Sequence, residues 1–313
     1  MKTHCSFLIG FLLIVSILSP AADRKTYPVD IPATGVKTIT FDVQEGEFVL
    51  HGSPDAKTVG MHVSIDRTWI FRLGEEGILK RLIKVSGEGT DHVTIATDIP
   101  RSISNWGRAE YPIDFDVVVP EGAVLQIRDT SGIIRIADMK APVDIHDGSG
   151  SLSVIGVQGD LTIAKESGDI AVERVTGMTK INSQSGQMKL RNLAQLDIEH
   201  SDGNLDMTDI GTAHVRNNSG NLKITTGTGP LDIDDESGEI YIADVKGDIK
   251  IRDTSGQIRV LRSGAVTIND TDGDITVQQA PSVAVLQKES GQVKVSQISG
   301  EVNVPAGIEL KRR

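Results

Sequence analysis

One phrase recurs along the chain from Ser131 onward: a polar corner, a Ser-Gly or Asp-Gly pair, then alternating aliphatic residues. The glycine of that pair is Gly132, Gly150, Gly168, Gly186, Gly203, Gly220, Gly238, Gly256, Gly273 and Gly291, so the interval is always 17 or 18 residues. A fixed period of this length marks a solenoid, in which each repeat is one coil stacked on the next.

Within a coil the pattern is that of strands. After Gly238, Ile240 and Ile242 point inward between Glu239, Tyr241 and Ala243, and Val245 follows. Beyond Gly247, Ile249 and Ile251 alternate around Lys250, and Arg252-Asp253-Thr254-Ser255 leads to Gly256. Strict alternation over short runs between glycine corners is the strand signal. The expected fold is therefore all-β: a single-stranded β-solenoid of about ten coils, with about 18 residues and two short strands per coil. Right-handed winding is the expectation. A left-handed hexapeptide helix, which also uses 18 residues per coil, does not fit. Six residues beyond Leu152 and Leu205 stand Gln158 and Gly211, where that fold needs aliphatics.

The corner pairs need small residues. Glycine takes the positive φ of a sharp turn, and the preceding Ser or Asp can bond the local backbone. No histidine recurs beside the serine column, so it reads as a structural ladder rather than a set of nucleophiles.

The ends of the chain divide it further. Lys2, the apolar run Phe7 to Leu18 and the small residues Ser19-Pro20-Ala21 read as a signal peptide over 1–21, cleaved after Ala21. The run is shorter than the ~20 residues that span a bilayer. Cys5, the single cysteine, would leave with it. Residues 22–120 are strand-rich but irregular and read as opening coils or a β cap, and 121–313 as the regular array. Within the cap, Trp69 to Val85 has helical spacing at Ile78, Leu79, Leu82 and Ile83, with acids early and bases late. It reads as a strap over the first coil or as a docking element using Trp69 and Phe71.

Charge limits the partners. The chain carries 32 basic and 43 acidic residues, a net charge of −11 that becomes −12 without Lys2. Nonspecific nucleic-acid binding needs the opposite balance, and no later segment is long and apolar enough to cross a membrane.

Chemistry-bearing clusters are few. Asp232, Asp234, Asp235 and Glu236 precede one corner, Asp253 the next, and Asp270 with Asp272 the one after. Stacking brings Asp235, Asp253 and Asp270 into one column with neighbours ~4.8 Å apart. With Asp272 they are candidate oxygen ligands for a hard cation such as calcium. Along the rod that column reads Asp, Asp, Lys, Ser, His, Asn, Asp, Asp, Asp, Lys, with no repeated ligand pattern, so a solvated acidic corner is the expected state. His146 and His200 share a corner three coils apart, too far for one metal. His51 and His62 could face each other, with no third ligand. The outward column Arg135, Ser153, Ala171, Lys189, Asp206, Lys223, Tyr241, Arg259, Thr276, Lys294 is mixed, not a threonine array. No catalytic residue and no cofactor is expected.

The lead-in Asp114-Phe115-Asp116-Val117-Val118-Val119-Pro120-Glu121-Gly122-Ala123-Val124-Leu125, its passage into Thr130-Ser131-Gly132, and repeats such as Ser167-Gly168-Asp169-Ile170-Ala171-Val172 resemble the toast-rack family of exported bacterial β-solenoid proteins. The likeness covers roughly residues 37–304. It implies a periplasmic or extracellular protein of the cell envelope, a member of a family that carries an adhesin label, with some members found alongside envelope-stress systems. A non-enzymatic binding or scaffold module, contacting an envelope protein or glycan through its faces, is the expected function. A polysaccharide-active β-helix enzyme is the alternative.

Overall fold

The computed structural model describes residues 24–67, 70–71, 74–99 and 113–312. The 1–21 segment, Cys5 and Trp69 lie outside the described residues. The chain forms a β-solenoid of about ten turns with coils of roughly 18 residues. Strands of successive coils pair in parallel and in register: Leu231 with Ile249, then Ile249 with Val266. Side chains at one offset therefore stack on their own kind. Ile240, Ile242, Val245, Ile249 and Ile251 are all buried, and most of the corresponding inward positions of the other coils join them in one continuous core. Inter-coil pairing satisfies the backbone groups that a lone coil would leave open.

The ten repeat glycines line up along one ridge. All ten have positive φ, between 89° and 142°. At Gly256 a Cβ would lie 1.8 Å from the carbonyl oxygen of Gly238. The corner therefore requires glycine twice over, for its backbone conformation and for the approach of the next coil. The strand passes through this corner without a break, as over Ile249–Ser263. The chain leaves regular pairing instead at Gly247-Asp248. There a Cβ on Gly247 would lie 2.1 Å from the Gly229 carbonyl oxygen.

A further bend falls six residues after the corner glycine. Asp138, Arg174, Asn192, Asp209, Thr226, Asp244, Arg262, Gln279 and Gln297 hold φ between 52° and 60°. A left-handed conformation costs a non-glycine residue about 1–2 kcal/mol, and stacking helps to hold it. The Thr226 hydroxyl donates to Asp209 Oδ1, and Arg262 forks onto both oxygens of Asp244 at 2.5 and 2.7 Å.

At the N-terminal end, chain order and stack order differ. The strands are β1 (Arg24–Pro32), β2 (Thr38–Val43), β3 (Glu47–Ser53), β4 (Thr58–Asp66), β5 (Ile83–Ser86), β6 (His92–Thr97), β7 (Ile113–Pro120) and β8 (Val124–Met139). Strands β2 and β3 form a coil directly beneath β8, with Gly46 under Gly132 at the head of the glycine ridge. Strands β6 and β7 come later in sequence yet stack on the other side of β2 and β3. Phe41, Phe48 and Phe115 fill this end, the first two edge-to-face with centroids 4.9 Å apart. Antiparallel strands then cover the outer edges: β5 on β6, β4 on β7, and β1 on β4. A solenoid end needs such cover, because an open edge templates further pairing. Helix α1 (Ile78–Leu82) lays Ile78 and Leu82 into the core, and Ile83 already begins β5. Phe71 is 91% exposed.

Replacing Gly256 by alanine should lower stability by about 2–4 kcal/mol. Thermal unfolding of the variant checks this. The same change at Gly122, where nothing lies within 4 Å of an added Cβ, should be nearly neutral.

Candidate functional site

Three residues before each corner glycine the chain points a polar side chain inward. In stack order these are Asp129, Asp147, Lys165, Ser183, His200, Asn217, Asp235, Asp253, Asp270 and Lys288. All ten are buried, none more than 9% exposed. The register makes them neighbours: Asp129 beside Asp147, His200 beside Ser183 and Asn217, Asp235 beside Asp253, Asp253 beside Asp270. The expected solvated acidic corner is corrected here. Each of these positions continues the inward alternation of Ile249 and Ile251, so the column lines the inner side of the corner and the rest of the rod covers it.

Charge in this column is balanced by two lysines and by protons. Lys165 bonds the Asp147 carboxylate and Lys288 bonds Asp270, each pair with side chains 0–1% exposed. The other acids lack a cation. Burial, with the charge of Asp147 added, raises Asp129 to about 7. Burial and the flanking Asp235 and Asp270 raise Asp253 to about 7. Burial raises Asp235 to about 6, although Asn217 Nδ2 donates to its Oδ1 at 2.6 Å. When Asp129, Asp235 and Asp253 hold protons, the remaining charges are two neutral pairs. Burial lowers His200, favouring the uncharged ring, and its Nδ1 lies 3.3 Å from the Ser183 carbonyl oxygen.

The calcium candidates separate. Asp235, Asp253 and Asp270 share the inward column, whereas Asp272 sits two residues on, exposed, beside Ser255, accepting a hydrogen bond from Ser290. Among the described residues no group of three or more His, Cys, Asp or Glu is arranged to hold a metal ion. His146 and His200 do not share a column. His146 aligns through Ala164 and Asn182 with Glu199, on the outside, because the coil after Gly186 is one residue shorter. His51 pairs in register with Val118 and Ala137, away from His62, and lies 3.3 Å from Asp138.

Outward side chains form two long faces. On the first, Arg135, Ser153, Ala171, Lys189, Asp206, Lys223, Tyr241, Arg259, Thr276 and Lys294 stack in the expected order. A groove of about 660 Å³ runs along it, bordered by Lys189, Asp206, Lys223, Gln187, Asn204 and Asn221. The second face carries a groove of about 710 Å³ beside the exposed Met178. Two of its arginines are paired: Arg216 with Glu199, and Arg252 with Asp232 and Asp234. Sequence reasoning located the first outward column but not the second, nor the grooves, which depend on side-chain lengths in adjacent coils.

The raised carboxyls set the pH dependence of stability. They keep their protons in the fold at pH values where the unfolded chain, near 3.8, has lost them. Their stabilisation is therefore full below about pH 4 and lost as pH rises through 6–7. Asp253→Asn should raise stability at pH 8 by about 1–2 kcal/mol and change little at pH 4, as read by melting temperature across that range. Lys288→Met strands the Asp270 charge and should cost about 3–5 kcal/mol. Adding Asp270→Asn should restore most of the loss in the same unfolding experiment.

The fold can be set beside known proteins. Solved structures with similar arrangements include a "putative adhesin" of Parabacteroides merdae, 14% identical, covering 87% of this chain and 95% of that one with a TM-score of 0.40. A "putative cell adhesion protein" of Clostridium sporogenes is 11% identical over 74% and 99% of the two chains, TM-score 0.37. A "putative lipid binding protein" of Parabacteroides distasonis is 14% identical over 93% and 96%, TM-score 0.30. No curated protein is a significant match. The family model Toastrack DUF4097 matches residues 15–207 and again 177–312, nearly the whole chain. The chain belongs to the Toastrack DUF4097 family.

Proposed function

We propose that this is an exported, non-catalytic binding module of the cell envelope, whose outward strand faces contact another envelope component, protein or glycan. The observation that carries this reading is the division of labour within each coil. Inward strand positions stay almost uniformly aliphatic from coil to coil, whereas outward positions change chemical class at nearly every coil while staying in register. A rod that fixes its backbone and varies its surface presents a defined pattern of groups over a long contact. The array spans ten glycine corners, ~4.8 Å apart, a face roughly 50 Å long. The adhesin names among the similar structures agree with a binding role. Export is supported by Lys2, the apolar run from Phe7 to Leu18 and the small residues ending at Ala21. Among the described residues no helix is long and apolar enough to cross a membrane.

Expressed with its own N-terminus in a bacterial host, the protein should be recovered from outside the cytoplasm with Ala22 as its first residue, as N-terminal sequencing reads. Immobilised mature protein should retain a defined component of envelope extracts, and charge-neutralising changes on one face should release it while the opposite face tolerates them. Turnover of a polysaccharide, abolished by one Asp→Asn change at a corner, would replace this reading with the enzymatic one.

A further inference from the structure

We infer that the first face binds an acidic polysaccharide that carries one carboxylate per two sugar rings, laid along the stacking axis over Lys189, Lys223 and Arg259. The inference rests on the proposed binding role and gives it a ligand class. Along that face Lys189, Asp206, Lys223, Tyr241 and Arg259 occupy five successive rungs of one column. The three cations are exposed and form no ion pair among the described residues, unlike the arginines of the second face. They stand two coils apart, about 10 Å from each to the next. In a protein of net charge −11, three exposed cations at constant spacing, with the single acid Asp206 among them and no ion pair formed, are the feature that selects an anion.

The spacing selects among polyanions. Duplex nucleic acid presents one charge per ~1.7 Å of axis, far denser than this column can match. An extended acidic peptide shows side chains on one face every ~6.7 Å, out of step with two coils. A linear sugar chain advances by about one strand spacing per ring, so alternate uronates fall in step with alternate coils.

The rungs between the cations suit the intervening neutral sugar. Asp206 lies between Lys189 and Lys223 and can accept hydrogen bonds from sugar hydroxyls. Tyr241, half-buried between Lys223 and Arg259, offers a ring face. Beside them, Asn204 Oδ1 accepts the Asn221 backbone N–H at 2.8 Å, and Asn221 Oδ1 accepts that of Glu239 at 3.1 Å. Both carbonyl oxygens are thereby engaged with the backbone. The amide NH₂ groups remain as oriented donors at the border of the groove.

The test is titration of the mature protein with a hyaluronan hexasaccharide, which has one uronate per disaccharide, at low and high salt. Controls are its carboxyl-reduced form and a hexaglutamate peptide. Binding of the hexasaccharide alone, weakened by salt, is expected. Lys189→Gln/Lys223→Gln/Arg259→Gln should weaken it at least about tenfold, with unchanged circular dichroism and melting temperature. Asp206→Ala should weaken it too, whereas pure charge attraction would be strengthened by losing that acid. No binding, equal binding of either control, indifference to the triple change, or tighter binding by Asp206→Ala would each overturn the inference. The envelope-capture experiment separates the two readings. If envelope material is still retained and released by face variants while the hexasaccharide fails, the ligand class is wrong and the binding module stands. If both fail, the binding role falls with it.

Discussion

The approach of one corner glycine to the next governs the rest of this molecule. Each coil can be tight only because the carbonyl of the glycine below sits where a side chain would otherwise be. That contact aligns the coils, and alignment in turn sets every column: aliphatic in the core, polar at the inner corner, variable on the faces. Hydrophobic burial supplies the drive for stacking, but it would accept many registers. The glycine ridge accepts one.

The same in-register stacking makes the inner polar column unusual. A single inward aspartate in a globular core would find a local partner or be excluded. Here each aspartate has as its nearest neighbour whatever stands at the same offset in the next coil, so like charges meet. Two lysines, several neutral side chains and retained protons accommodate this. Between the Asp147–Lys165 and Asp270–Lys288 pairs stand the neutral Ser183, His200 and Asn217, followed by Asp235 and Asp253, whose carboxyls burial raises to about 6 and about 7.

Much of the fold was legible because a repeat states its geometry many times. The glycine period, the inward aliphatics and the outward face from Arg135 to Lys294 follow from counting, since parallel pairing converts sequence offset into spatial position. The burial of Asp253 was not read, although the alternation from Ile249 and Ile251 already pointed it inward; its polarity outweighed its place in the pattern. The bend at Asp244 and its equivalents was hidden because residues as unlike as Arg, Thr and Gln adopt the left-handed conformation there, without the glycine that normally marks it. His146 and His200 were mismatched because one shorter coil shifts the count. Gly46 was missed as a member of the ridge because 86 residues, not 18, separate its coil from the next one above.

The non-sequential N-terminal stack gives the rod a direction. With β5 and β4 running against the outermost coil, no further coil of the same sense can be laid on that side. A lineage that lengthens or shortens such a protein must therefore do so within the array or beyond its far side, leaving the sealed end as a fixed origin. Any pattern displayed along the faces is then read at set distances from that origin, much as graduations are read from the zero of a ruler.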